Sequence, residues 1–369
     1  MFYYYIFTLV ASWLYFFNRK AGYYILLLGV PLFLLTLPTT GLDYDYYKES
    51  YDNATFISTF PFFESISSLT AEPLYVWYTS VISVLSQLEF PAFLALNFIF
   101  SAFLFSFALS KFPNDLKKYF FLFILPIIIP TLFYFSPRSS ISFAFILIGF
   151  FKLCHDRKNL GILFLFIGFS FHTQYFLIGL YILVLYFLSS KKDLLNINNI
   201  VLINFVLALL LFLFLHFISF FENIVATVFS FLPSASVALA KLHYVSDEDG
   251  GGGGGFRLTG LLSVLIYPAI LFYFLRTIKL NNYPVNTKFL FCLVGVVFFG
   301  IAVNIAFISE PHVAGRLSRF SDYFCMGFLI PYVLYVNKHY LSIKIISLVM
   351  CLLTPILFKT LYIGAFEIF

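Results

Sequence analysis

Charge is what this sequence has least of. Only 11% of its 369 residues are Asp, Glu, Lys or Arg, against 62% hydrophobic ones. Soluble domains carry about 25% charged and about 45–50% apolar residues. A soluble fold of this length needs far more charge to cover its surface. The shortage excludes a nucleic-acid binder, a soluble enzyme and a secreted disulfide scaffold. It points to an integral membrane protein with many spans. Cysteine is sparse as well. The four cysteines (Cys154, Cys292, Cys325 and Cys351) sit in or beside apolar runs without a CxxC pair. They read as core or lipid-facing residues, not as metal ligands or disulfides. The start, Met1-Phe2-Tyr3-Tyr4-Tyr5, lacks a basic n-region and a small-residue cleavage site, so it reads as a first span. No internal repeat is visible, which weakens the case for an inverted-repeat transporter.

Among the residues that are present, the bases fix the topology. Cytoplasmic loops carry Lys and Arg. The short loop Asn18-Arg19-Lys20 separates apolar runs over about 2–17 and 21–38, so it is expected inside. The N-terminus and the segment 39–72 then lie outside, and that segment holds six acids and only Lys48 as a base. Basic clusters at Lys111/Lys117/Lys118, Lys152/Arg157/Lys158, Lys191/Lys192, Arg276/Lys279/Lys288 and Lys338/Lys344 are expected inside.

Parity then constrains two stretches. Pro73–Leu88 cannot be a full crossing, and its mixed pattern suits an amphipathic helix at the outer interface. The stretch 159–190 lies between two inner clusters and must cross an even number of times. Its outer apex falls near His172, with two short limbs. The other expected spans are 91–110, 119–135, 139–154, 200–221, 260–278, 288–308, 319–337 and 342–361. Together these give an all-α membrane protein of about twelve spans (range 10–13), with both termini outside. The chain is read as one membrane domain, 1–369, with an outer loop at 39–90 and a second at 222–259.

Of the 22 bases, fifteen fall in the inner loops, twelve of them Lys. Seven fall outside, and four of those are Arg: Arg138, Arg257, Arg316 and Arg319. Each lies at the outer edge of an apolar run. Arg makes forked, permanently charged contacts to phosphate. A cationic set on the wrong side of the membrane asks for an anionic ligand. The bland alternative is that these residues brace loops by pairing with outer acids.

Several short motifs share that face. Gly41-Leu42-Asp43-Tyr44-Asp45-Tyr46-Tyr47 places carboxylates and rings at the surface, where aromatic faces stack on sugars. An interfacial aromatic belt explains the same rings. Ala71-Glu72-Pro73-Leu74-Tyr75 opens the amphipathic helix. Proline at the first helical position with an acid before it is a complete structural account of Glu72, beside a reading as a base or sugar ligand. Ser136-Pro137-Arg138-Ser139-Ser140 starts a span with a costly Arg. Phe169-Ser170-Phe171-His172-Thr173-Gln174-Tyr175 occupies the apex, where an imidazole can donate to phosphate or shuttle a proton. Asp247-Glu248-Asp249, six glycines and Phe256-Arg257 form a flexible lid, not a phosphate loop, because no Gly-Lys-Ser/Thr is present. Arg316 and Arg319 share a helical face, with Asp322 three residues on.

The order of these motifs resembles the EpsG family and its Wzy-type O-antigen and capsule polymerase relatives. Gly41-Leu42-Asp43-Tyr44, Glu72-Pro73-Leu74-Tyr75, Arg138, Phe171-His172 and Arg316-Leu317-Ser318-Arg319-Phe320 carry the resemblance. Ser139 and Leu74 depart from the usual pattern, which leaves sugar specificity open. The resemblance implies a polytopic inner-membrane glycosyltransferase of the GT-C kind, with its active site on the outer, periplasmic face. It implies a glycan donor and a repeat-unit acceptor, each on undecaprenyl diphosphate. It adds membrane lipids and a chain-length regulator protein as partners, and no nucleic acid, cofactor or metal. Arg138, Arg316 and Arg319 are expected to stabilise the diphosphate leaving group, with Arg257 closing from the lid. Asp43, Glu72 and His172 are the candidate bases. Tyr44, Tyr46, Tyr47 and Tyr75 are the candidate sugar contacts. An O-antigen ligase, another GT-C sugar transferase, a lipid-linked sugar flippase and a membrane O-acyltransferase are the rival readings. A flippase should carry charge deep in its helices, whereas here charge clusters at the outer ends.

Overall fold

The computed structural model describes residues 2–36, 44–52, 72–86, 88–112, 116–119, 137–190, 197–220, 262–281, 286–308 and 311–337. Every described element is a helix. The expected spans 119–135 and 342–361 and the second outer loop, 222–259, lie essentially outside the described residues. Among the described residues, four helices are long and apolar enough to cross a membrane: Phe90–Ala108, Pro137–Cys154, Ile197–His216 and Thr287–Ala306. The protein is an all-α membrane protein.

The described residues fall into two compact units. The first runs up to Thr173 and resumes at Met326; the second spans Gln174 to Cys325.

The first unit contains α1 (Phe2–Phe17), α2 (Arg19–Thr36), α3 (Tyr44–Asp52), α4 (Pro73–Ser86), α5 (Phe90–Ala108), α6 (Pro137–Cys154) and α7 (Lys158–Phe171). Helix α6 is its core, 89% buried, and packs against both α5 and α7. Helix starts follow local chemistry. Pro73 and Pro137 stand at the first positions of α4 and α6, where the missing N–H costs nothing.

The α6–α7 turn is a Schellman motif. The Asp156 N–H donates to the Leu153 carbonyl and the Arg157 N–H to that of Lys152, with Asp156 at φ 59°. Gly161 and Gly168 then let the two helices approach closely. A Cβ on Gly168 would sit 2.7 Å from the Ile146 side chain and 3.2 Å from the Ser142 carbonyl oxygen. The Ser142 hydroxyl donates to the Gly168 carbonyl at 2.6 Å.

The expected break near His172 is present. Helix α7 ends at Phe171, and His172 is extended at φ −158° and ψ 109°. A 3-10 turn, Thr173–Tyr175, follows and leads into α8 (Phe176–Ser189), the start of the second unit.

That unit continues with α9 (Ile197–Phe220), a π-turn at Leu262–Ile266, α10 (Tyr267–Asn281), α11 (Thr287–Ala306), α12 (Pro311–Leu317) and α13 (Arg319–Phe324). Helix α11 is its core, 83% buried, and packs on α8, α9, α10, α12 and α13. Asn286 caps α11 by accepting from the N–H groups of Lys288 and Phe289. The expected span over 319–337 is helical without a gap over 319–336. It runs through α13, a π-turn at Cys325–Leu329 and α14 (Ile330–Val336), and the last belongs to the first unit. A π-turn shifts the helical register and is a frequent feature of functional helices.

Candidate functional site

Three elements of the first unit bring Glu72, Arg138 and His172 together. Glu72 precedes Pro73, and its own carbonyl accepts from the Val76 N–H at 3.0 Å, closing the first turn of α4. Its side chain turns away from that helix. One carboxylate oxygen accepts from Arg138 Nη1 at 2.7 Å, and the other lies 2.9 Å from His172 Nδ1. The second oxygen also accepts from the Thr173 hydroxyl at 3.2 Å and its N–H at 3.4 Å. Helix-end electrostatics are therefore only part of what Glu72 does.

Each partner is positioned by its own local structure. Arg138 follows Pro137 in the first turn of α6. Asn97 of α5 pins that turn by donating to the Pro137 carbonyl at 3.2 Å and to the Ser140 hydroxyl at 3.0 Å. Ser140 donates back to the Pro137 carbonyl at 2.7 Å, and Ser101 lies 3.1 Å from the Ser140 oxygen. His172 caps α7, with its N–H on the Gly168 carbonyl at 3.1 Å. The extended backbone there swings the ring off the helix and towards Glu72.

The site is nearly dry. The Glu72 side chain is 3% exposed and that of Arg138 21%. Burial alone would raise the Glu72 carboxyl. The His172 ring and the Arg138 guanidinium outweigh it and hold the carboxyl well below the usual carboxylate range. Glu72 is thus an anion, and His172 Nδ1 carries the hydrogen it donates. With Nδ1 engaged by Glu72, Nε2 is the ring nitrogen through which His172 can exchange a proton.

Aromatic rings form the wall. The Arg138 guanidinium lies over the Tyr47 ring, 5.4 Å from its centroid. Tyr47 and Tyr75 meet edge to face at 6.1 Å. Burial first, and Tyr47 second, push the Tyr75 phenol well above its usual value, so it stays neutral. Tyr44 is buried beside Phe90 with centroids 5.0 Å apart.

The remaining expected residues are distributed differently. Arg316 and Arg319 belong to the second unit, on α12 and at the start of α13. Arg316 is exposed, and its backbone carbonyl accepts from the Gln174 side chain. Asp322 accepts from the Ser318 hydroxyl at 3.0 Å. Asp43 and Arg257 lie outside the described residues, as does the Tyr46 side chain. Among the described residues, no group of three His, Cys, Asp or Glu could hold a metal ion.

Three contributors are missed by sequence reasoning. Thr173 lies inside the apex motif, and a hydroxyl beside a histidine is a usable sign. Asn97 and Ser101 lie mid-helix in an apolar run. Their polar side chains in α5 are the sign that another helix end needs satisfying.

The model of the EpsG family matches residues 22–369, nearly the whole chain, and the chain belongs to that family. No curated protein and no solved structure matches it.

Proposed function

We propose that this member of the EpsG family is a bacterial polysaccharide polymerase. It is a metal-independent glycosyltransferase that joins undecaprenyl-diphosphate-linked repeat units at the outer face of the inner membrane. The observation that carries the reading is one buried Glu72 carboxylate shared by Arg138 and His172.

The chemistry needs two things. The acceptor hydroxyl must lose its proton as its oxygen attacks the anomeric carbon. The bond from that carbon to the diphosphate must break, with its electron pair leaving on oxygen. His172 takes the proton at Nε2, and Glu72 fixes the ring by holding Nδ1. Glu72 is a positioning residue here, since a carboxyl held this far below its usual range is a poor base at neutral pH. Arg138 stabilises the leaving diphosphate; a guanidinium has five donors, so a bond to Glu72 is compatible with bonds to phosphate. Arg316, Arg319 and Arg257 are proposed as further diphosphate contacts, and Asp43 as an acceptor-side carboxylate. Tyr44, Tyr46, Tyr47 and Tyr75 are proposed as sugar contacts, and Tyr47 also supports Arg138. The full chain is proposed as a GT-C-like fold of about twelve crossings, with a chain-length regulator as partner.

A gel of surface glycan tests this. Three strains are compared: intact, gene-deleted, and deleted but carrying an Arg138→Ala copy expressed at normal level. The expected result is collapse of the long ladder to core plus one repeat in both mutants. An unchanged ladder in the deletion overturns the reading. Loss of all repeats from core, with lipid-linked polymer accumulating, replaces it with the ligase reading.

A further inference from the structure

A second site lies at the other end of α6. Arg138 and Lys152 are fourteen residues apart on this helix, so about 21 Å separates them along its axis. Around Lys152 the first unit encloses a cavity of about 320 Å³. Its apolar walls include Phe107 of α5 and Ile148 and Phe151 of α6. Lys152, His155 and Arg157 supply its polar lining. The Lys152 ammonium reaches across to α5 and sits 4.8 Å from the centroid of the Phe107 ring. Ser110 also lines the cavity, and its carbonyl accepts from Lys117 at 3.4 Å. A base of the 111–118 cluster thus lies one hydrogen bond away from the lining. Asp156 is the acid of the connecting turn and offsets part of this charge.

We propose that this cavity binds the head group of an anionic phospholipid. The phosphodiester is held by Lys152 and Arg157, and the acyl chains leave along the exposed ring of Phe107. Three observations favour that occupant. The cavity carries positive charge on apolar walls, a combination that suits a phosphate ester bearing hydrocarbon. Its volume is at the small end of ligand cavities, which start near about 300 Å³, and suits a glycerophosphate head but not an oligosaccharide. Its bases belong to the clusters expected on the cytoplasmic side, where anionic lipids concentrate and basic pockets between helices take their head groups. Simple snorkelling of Lys152 would carry its ammonium straight out to water. Here the ammonium instead roofs the cavity over a ring of the neighbouring helix.

The test uses the full-length purified protein reconstituted in phosphatidylcholine, with or without phosphatidylglycerol. Thermal unfolding is read for the wild type, for a Lys152→Gln/Arg157→Gln double variant and for Lys20→Gln. Lys20, in the first turn of α2, is an exposed base expected on the same side. The expected result is that phosphatidylglycerol raises Tm by about 5 °C in the wild type and in Lys20→Gln, and not in the double variant. An equal rise in the double variant overturns the proposal. So does loss of the rise in Lys20→Gln, which would mark a general charge effect. Inorganic phosphate added to the phosphatidylcholine sample is expected to do nothing; if it reproduces the rise, the site is one for free phosphate. Native mass spectrometry of the wild type alone gives a second reading. Retention of phosphatidylglycerol over phosphatidylcholine from a mixed membrane supports the proposal, and no preference overturns it.

Discussion

Removing the Glu72 carboxylate would strand two partners at once, the Arg138 guanidinium and the His172 ring. Breaking a buried pair from one side costs about 3–5 kcal/mol, because the surviving charge stays in the dry site. The same geometry sets a pH behaviour. The folded carboxyl is held below the unfolded value of 4.5, so its contribution is fully present above about pH 4.5. That contribution is lost as pH falls from there through the depressed folded value. Between pH 5 and 8, an infrared difference spectrum of wild type minus Glu72→Gln should show no protonated-carboxyl stretch. A protonated band from Glu72 at neutral pH would mean that neither Arg138 nor His172 holds it. Sequence alone places Glu72, Arg138 and His172 among the candidates, because each has an unusual position: before a helix proline, at the head of an apolar run, at an apex. It does not say that one carboxylate serves both of the others. That link depends on contacts 66 and 100 residues apart in the chain.

At the scale of elements, the α6–α7 hairpin sets where the imidazole sits. Helix α7 reaches His172 only four residues after Gly168, and Gly168 rests against α6 at Ile146 and Ser142. A larger side chain there must push the helices apart or tilt α7, and both move the ring away from Glu72. Gly168→Leu is therefore expected to lower Tm in detergent by about 5 °C through overpacking, and to abolish the long glycan ladder. Leu163→Ala, on the outward face of the same helix, serves as the control and should leave both nearly unchanged. A Gly168→Leu protein with wild-type Tm would show that the contact is not tight. The broken hairpin is legible in the sequence, because two basic clusters flank a stretch too short for two full helices. The positive-φ turn at Asp156 is not, since it relies on the chain reversing over three residues rather than on a glycine. The π-turn inside 319–337 is not legible either. An unbroken apolar run reads as one helix, and the π-turn at Cys325–Leu329 depends on packing around it.

For the whole molecule, the expected orientation rests on fifteen bases in loops read as inner and seven, four of them Arg, in segments read as outer. Arg138 and Lys152 stand at opposite ends of one core helix, Pro137–Cys154. Parity along the chain then makes a sharp statement about three positions. In a cysteine-free background, Lys20→Cys and Lys158→Cys should react with an impermeant maleimide only after the membrane is opened. Thr173→Cys, an exposed position at the α7 apex, should react from outside in intact cells. Lys158 and Thr173 lie fifteen residues apart, so a single short limb must separate the two sides between them. Reaction of both only after the membrane is opened would remove that crossing and put the Glu72 site inside the cell, where lipid-linked repeats are assembled rather than joined. Reaction of Thr173→Cys outside with Lys158→Cys shielded fixes the imidazole on the face where a polymerase must work. It also fixes the Lys152 cavity on the face richest in anionic lipid.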